Sequence, residues 1–296
     1  MQTIEDLKRR IESTQDLHSV VKTMKALAAV KIRQYEKAVT SLDSYHATIE
    51  MGLQVVLRDR PEAHVTAKEG PRDRLGAIVF GSDQGMCGQL NDQVAAHALQ
   101  TMQRFSEVSR QDRFVLAVGD RVAARLQDDR EVIQQILSVP SSITGIAGKV
   151  QQIVVEIDKW NAKQGIQKVL LFHSKHLSGA SYEPRTVHLL PVDQAWLKRL
   201  RQKSWQGRAL PMFTMDWDPL FSALIRQYLF VSLFRALAES LASENASRLA
   251  SMQGAEKNIQ ERLSELNLRF HQQRQMSITE ELLDVVSGFE VLSATA

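Results

Sequence analysis

FVSLFRALAESLASENASRLASMQGAEKNIQERLSELNLRF, residues 230–270, contains no proline and one glycine, Gly254. Phe230, Phe234, Leu237, Leu241, Met252, Ala255, Ile259, Leu263, Leu266 and Phe270 keep to one helical stripe along it. The stripe resumes at Ile278, Leu282, Val286 and Phe289. The other end of the chain reads alike: Ile4, Leu7, Ile11, Thr14, Leu17, Val21, Met24, Ala28, Ile32, Tyr35, Ala38, Leu42, Tyr45, Ile49 and Leu53 advance in steps of three and four. All seven prolines lie between Pro61 and Pro219, so both ends lack the residues that stop helices. At about 1.5 Å per residue, the two helices would extend roughly 80 Å and 110 Å. Periodic stretches that long, without caps, read as a coiled coil. Stripes at opposite chain ends pair most simply as antiparallel helices, with the middle of the chain as a head.

The middle reads differently. Gly76–Gly81, Arg113–Gly119 and Lys168–His173 are short apolar runs, hence buried strands. Helix-like stretches, Asp92–Glu107 and Lys149–Gly165, lie between them, and that alternation implies parallel βαβ units. The expected fold class is α/β: a long antiparallel coiled coil of the N- and C-terminal helices plus a central Rossmann-like α/β domain. The expected segments are an N-terminal helix over 1–58, the α/β domain over 75–195 and a C-terminal helix over 212–292. Arg58 to Arg74, charged and broken by Pro61, Gly70 and Pro71, reads as an exposed linker. Trp196 to Pro211, with five Lys or Arg, leads back to the second helix.

Composition narrows the function. A net charge of +3 and a pI near 9.0 are too mild to argue for nucleic acid. The single cysteine, Cys87, excludes an internal disulfide and a multi-cysteine zinc site. The most apolar stretch, Phe221–Ala238, is interrupted by Arg226 and Arg235, and the first ten residues lack a signal-peptide core. A soluble protein of a reducing compartment is expected.

Gly81-Ser82-Asp83-Gln84-Gly85-Met86-Cys87-Gly88-Gln89-Leu90-Asn91 follows the first strand and precedes a helix, where α/β sheets place phosphate loops. Its spacing matches neither glycine-rich phosphate motif and it holds no Lys or Arg, so a tight structural turn is the better reading. Cys87 near a helix start could be a nucleophile, but no Cys–His partnership is legible. His173 and His176, the only close histidine pair, suit no common metal site. Ser141–Thr144 and Gly145–Gly148 look like loop. No catalytic constellation emerges; cofactor and metal are both expected to be none.

The helices carry more. Between His18 and Thr40, Lys22, Lys25, Lys31, Arg33 and Lys37 face only Glu36, either a solvated face or a basic collar for an acidic partner. Ile278, Leu282, Leu283, Val285, Val286, Phe289, Val291 and Leu292 cover more than one stripe. A terminal helix that is apolar nearly all round must be enclosed, and one paired helix covers a single side.

These residues carry a resemblance over the whole length. Val20-Val-Lys22-Thr-Met24-Lys-Ala-Leu27-Ala28-Ala29-Val-Lys31 resembles the N-terminal signature of the gamma subunit of F-type ATP synthases. Ser82-Asp83-Gln84-Gly85-Met86-Cys87-Gly88-Gln89-Leu90-Asn91 is similar to its Ser-Asp-(Arg)-Gly-Leu-Cys-Gly-x-x-Asn. Ser243-Glu244-Asn-Ala-Ser-Arg248-Leu-Ala-Ser-Met252 and Arg274-Gln275-Met276-Ser277-Ile278-Thr279-Glu280-Glu281-Leu282 resemble its two C-terminal motifs. Gln84, Phe270-His271 and Met276 depart from the pattern and suggest a divergent branch, such as the alternate ATPases some bacteria keep beside the main synthase. The segment with a cysteine pair carried by chloroplast-type members is missing, so thiol switching is not expected.

The resemblance implies a rotary shaft with no catalytic residue of its own. Its partners would be the α and β subunits of the catalytic hexamer, the epsilon subunit and the c-subunit ring, with proton or sodium flow as the drive. It implies a peripheral place on the cytoplasmic face of a bacterial inner membrane, or on a thylakoid membrane. Met24, Lys25, Lys31, Arg248, Gln275, Thr279 and Glu281 fall where the family meets the hexamer; Ser82, Asp83, Gly85, Cys87, Gly88 and Asn91 form its structural loop. The competing expectations are a stand-alone α/β enzyme that binds a nucleotide at Gly81–Gly88, tethered by a coiled coil, and a homodimeric scaffold.

Overall fold

A computed structural model describes residues 3–59, 74–205 and 211–294, with side chains through residue 287. Most of the expected linker, residues 60–73, lies outside the described residues, as do 206–210 and the side chains of Phe289, Val291 and Leu292. The elements in chain order are α1 (Ile4–Asp59), β1 (Leu75–Phe80), α2 (Leu90–Gln103), β2 (Arg113–Val118), α3 (Asp120–Asp128), β3 (Ile133–Leu137), α4 (Ile143–Gln164), β4 (Lys168–Ser178), β5 (Ser181–Leu190), α5 (Gln194–Gln202) and α6 (Trp217–Ala294). By packing, the chain divides into two units that cut across the long helices: Met1–Leu27 with Ala250–Ala296, and Ala28–Leu249.

In the larger unit the strand order is β3-β2-β1-β4-β5, with β1 to β4 parallel and β5 antiparallel to β4. The chain leaves β1 in one direction through β2 and β3, then returns to lay β4 on the other side of β1. That reversal puts the switch point between the carboxyl ends of β1 and β4. Strand alternation divides the core in two. Leu75, Ala77, Val79, Val115, Ala117, Leu170 and Phe172 pack under α2 and α3. Ile78, Phe80, Leu116, Val118 and Leu171 pack under α4, α6 and Tyr35 of α1. The apolar run Phe221–Ala238 is spent here: Leu229, Leu233 and Leu237 join that second layer. Its two arginines turn outward, Arg226 to Asp158 at 2.6 Å and Arg235 to Asp43 on α1. A third cluster joins Leu53 and Val56 of α1, Leu197 and Leu200 of α5, and Trp217 and Phe221 of α6. Tyr45 meets Gln227, and Trp217 donates to the Val56 carbonyl at 2.9 Å, so α1 and α6 run antiparallel in this unit.

The structure differs from the expectation in several elements. β3, α3, β5 and α5 are extra, and Ser142–Gly148, read as loop, caps and opens α4. Both sheet edges are irregular. At the β3 edge the register shifts next to Val115, where the Gln134 side chain substitutes for main chain: Val115 N–H donates to its Oε1, and its Nε2 donates to the Arg113 carbonyl at 3.0 Å. The β5 edge carries Pro184 opposite Ser174.

The smaller unit contains only the two helices. Val21, Met252 and Ile259 form its buried centre, with Met24, Ala255 and Leu263 against them.

Two glycines test the packing in opposite directions. A Cβ at Gly81 would lie 2.4 Å from Val122 Cβ and 2.6 Å from Asn91 Oδ1, whereas one at Gly254 meets nothing within 4 Å. In chemical denaturation of the isolated chain, Gly81→Ala should therefore cost about 1–3 kcal/mol. Gly254→Ala, mid-helix and exposed, should gain roughly 0.5–1 kcal/mol.

Candidate functional site

The Gly81–Asn91 loop leaves the carboxyl end of β1 and folds on itself. Ser82 N–H donates to Asn91 Oδ1 at 3.0 Å, and Asn91 Nδ2 donates to Ser82 Oγ at 2.8 Å. Ser82 Oγ in turn donates to the Gln84 carbonyl at 2.9 Å. Asp83 reaches outward: its carboxylate accepts Asp120 N–H at 3.1 Å and Val139 N–H at 2.9 Å. One side chain thus braces three loops, those after β1, β2 and β3. The neighbouring strand β2 is followed by Gly119, which has φ +118° and whose added Cβ would press on the Ser82 backbone at 2.8 Å. Gly88 takes the left-handed backbone that glycine permits at φ +55°, and so does Met86 at φ +61°. Gly85 has only Arg121 near an added Cβ, at 3.9 Å. The Cys87 thiol is buried, 3.4 Å from Ser82 Oγ and from Asn91 Nδ2.

What stands over this loop is α6. Residues 241–248 are buried all round the helix. Ser247 Oγ donates to the Cys87 carbonyl at 2.5 Å, and the single Ser243 hydroxyl hydrogen is shared between the Ser174 carbonyl of β4 at 2.9 Å and the Glu239 carbonyl one turn earlier at 2.8 Å. Glu239 pairs with His173 Nε2 at 3.0 Å. Burial pushes the Glu239 carboxyl up, but the hydrogen bond from His173, with Lys175 and Arg235 nearby, outweighs it and holds the group below the ordinary carboxylate range. The crevice at the switch point, where doubly wound sheets bind nucleotides, is filled by this helix. The expectation of a nucleotide enzyme built on Gly81–Gly88 fails for that reason. The two histidines of β4 diverge: His173 faces α6, while His176 meets Glu36 of α1 at 3.1 Å and the Gly179 carbonyl at 3.0 Å. Among the described residues no three His, Cys, Asp or Glu side chains gather as a metal site.

The residues expected to face a partner fall into two groups. Arg248 does not reach outward. It is buried and pairs with Glu244 one turn earlier at 2.6 Å, which corrects the outward reading. Burial pushes the Glu244 carboxyl up against the opposing pull of Arg248 and Lys31; the same burial, with the Glu244 charge, raises the Tyr35 hydroxyl. Lys31 is half-buried. In the smaller unit Met24 is half-buried against Val21, Met252 and Ile259, and Lys25 hydrogen-bonds Glu256, with His18 3.8 Å away. Gln275, Thr279 and Glu281 are exposed, Thr279 Oγ1 donating to the Gln275 carbonyl at 2.9 Å. Around them Met276, Ile278, Leu282, Leu283, Val285 and Val286 are 48–70% exposed. Sequence reasoning missed Glu239, and quoted Ser243 and Ser247 within a motif without giving either a role. Their signal is the concentration of small residues in one stretch of α6, namely Ala238, Ser240, Ala242, Ser243, Ala246 and Ser247.

The chain matches the sequence model of a family described as ATP synthase over residues 3–292. Among solved structures it is similar to a chain of the Tetrahymena thermophila mitochondrial ATP synthase central stalk and c-ring, at 20% identity and TM-score 0.54, covering 80% of this chain and 99% of that one. It is also similar to a chain of the Euglena gracilis mitochondrial ATP synthase OSCP/F1/c-ring assembly in rotational state 3, at 16% identity and TM-score 0.62, covering 98% and 95%. A rotor chain of the Euglena enzyme in rotational state 1 matches at 16% identity and TM-score 0.57, covering 93% and 98%.

Arg248→Ala should cost about 3–5 kcal/mol in denaturant unfolding of the isolated chain, because it strands the buried Glu244 carboxylate. Glu244→Leu with Arg248→Met should restore most of that loss. A second measurement concerns Glu256, which the Lys25 hydrogen bond holds below its usual carboxylate range. A depressed carboxyl stabilises the fold above its unfolded value and loses that contribution as pH falls through the folded value. Thermal melts should show Lys25→Met weakening the fold at neutral pH and flattening its decline on the acid side.

Proposed function

Because the chain belongs to the ATP synthase gamma-subunit family, we propose that its helix over 276–286 turns inside an apolar sleeve formed by a hexamer of α and β subunits. The chain is a non-catalytic subunit of that complex and works as its central rotor shaft. The observation that carries the sleeve is the exposure of Ile278, Leu282, Leu283, Val285 and Val286 on several sides of one helix. Free in water, such a surface is sticky, and a monomer rarely keeps one without a partner for it. Gln275, Thr279 and Glu281 supply the polar contacts beside that surface. Met24, Lys25 and Lys31 supply the collar on α1, where cations meet an acidic lever on β. Epsilon and the c-ring engage the α/β part.

Ion flow, of protons or sodium, passes through other subunits and reaches this chain only as rotation. The F1 sector is peripheral to a membrane; the cytoplasmic face of a bacterial inner membrane, or the corresponding thylakoid face, is the proposed setting. Turning of an asymmetric shaft drives the β sites through states that differ in nucleotide affinity.

Mixed with purified α and β subunits, the chain should enter a stable complex and lose its binding of a hydrophobic dye. Undiminished dye binding in an assembled complex would overturn the sleeve, and failure to assemble would overturn the rotor reading. Gln275→Leu should leave the melting of the isolated chain within about 0.5 kcal/mol, as an exposed substitution does. The same variant should slow ATP turnover of the complex several-fold. Equal turnover in variant and parent would remove Gln275 from the contact set.

A further inference from the structure

We propose that Glu239, Ser243 and Ser247 form a rotational lock through which torque passes between the sheet and α6. The proposal rests on the rotor reading and adds to it the place where the load crosses from one part of the fold to another. The three residues sit four apart, so they share one face of the helix. Each is tied to a different point on the sheet's carboxyl edge: His173 Nε2 at 3.0 Å, the Ser174 carbonyl at 2.9 Å and the Cys87 carbonyl at 2.5 Å. Those points belong to β4 and to the loop after β1, the two strands that pair at the switch point. Asp83 braces that loop to the start of α3 and to the loop after β3, so a force on the Cys87 carbonyl spreads across three βα connections.

Direction is what such a contact needs. Apolar packing is non-directional, and a smooth helix under axial load can roll against it. A hydrogen bond weakens steeply with angle, and these three oxygens lie off the helix axis on one side. Turning α6 by one residue, about 100°, would remove all three bonds together. Across the helix from nothing but solvent, the helix could instead swing away. Here Tyr35 of α1 is buried in the same cluster as Leu237, Leu241 and Ala242, which holds α6 against the sheet. The composition points the same way. Ser174 Oγ, Ser240 Oγ and His173 Nδ1 are buried beside the stripe without a hydrogen-bond partner among the described residues. An interface shaped for stability alone would carry alanine or valine there. Buried polar groups add little stability, and their best-attested use is to fix one register.

The test uses the whole complex, reconstituted in vesicles, with ATP hydrolysis and ATP-driven ion uptake measured on one preparation. In the Ser243→Ala, Ser247→Ala double variant, assembly and hydrolysis should stay at the parent level. Ion uptake per ATP should fall at least about fivefold, the equilibrium factor of one net hydrogen bond, and up to roughly 30-fold if both hydroxyls carry load. Ser247→Thr, which keeps the hydroxyl, should pump like the parent. Parent-like uptake per ATP in the double variant would overturn the lock. So would a parallel loss of subunit content, hydrolysis and uptake, which marks a contact that only stabilises. A parent complex that does not pump would instead overturn the rotor reading itself.

Discussion

The hydrogen bond from Ser247 to the Cys87 carbonyl marks the constraint on which the larger unit depends. A helix of 78 residues cannot bury itself. It acquires a fixed position only where something grips it, and the grip here is the carboxyl edge of the sheet. That edge must be free of a ligand to receive a helix, and the helix must be thin to approach it. The helix is thin there because its residues are small: Ala238, Ala242, Ser243, Ala246 and Ser247. Within the edge itself, Gly81 and Gly119 let the loops close on one another, where added Cβ atoms would press on Val122, Asn91 and Ser82. The crevice that other doubly wound folds give to a nucleotide is given to a helix instead.

The same helix shows two kinds of surface. Over 241–248 it is enclosed on every side and carries a charged pair, Glu244 and Arg248. Over 276–286 it is apolar and exposed on several sides. Burial of charge within the chain and exposure of hydrocarbon outside it are each costly alone. The first is offset by pairing and by neighbouring polar groups, and the second calls for a partner that excludes water.

Much of this was legible in the sequence, unevenly. β1, β2 and β4 announce themselves as unbroken apolar runs because they are central and covered on both faces. β3 reads IQQIL and β5 contains Pro184 and Arg185, because edge strands see solvent and need not be apolar throughout. α3, DRVAARLQD, hides its three buried residues among charges, and α4 opens with two glycines that resemble loop. The long helices were plain from their periodicity. Which turn of α6 lies against the head was not, since a stripe gives a face and no address. Arg248 was therefore read as outward, although it sits in the turn enclosed on every side. The loop motif at Ser82–Asn91 was visible as a pattern; that its carbonyl at Cys87 serves a residue 160 positions later was not.

The two irregular sheet edges bear on stoichiometry. Gln134 puts its side chain between β3 and β2, where the register shifts, and Pro184 removes a donor from β5, so both edge strands depart from the regular ladder that a second sheet would extend. A chain that pairs edge to edge forms twofold dimers or open fibres. One irregular at both borders lacks that route to a second copy. An axle must be single, because a twofold pair placed on the axis of a threefold ring would present the same face twice per turn and blur the order in which the surrounding sites fire.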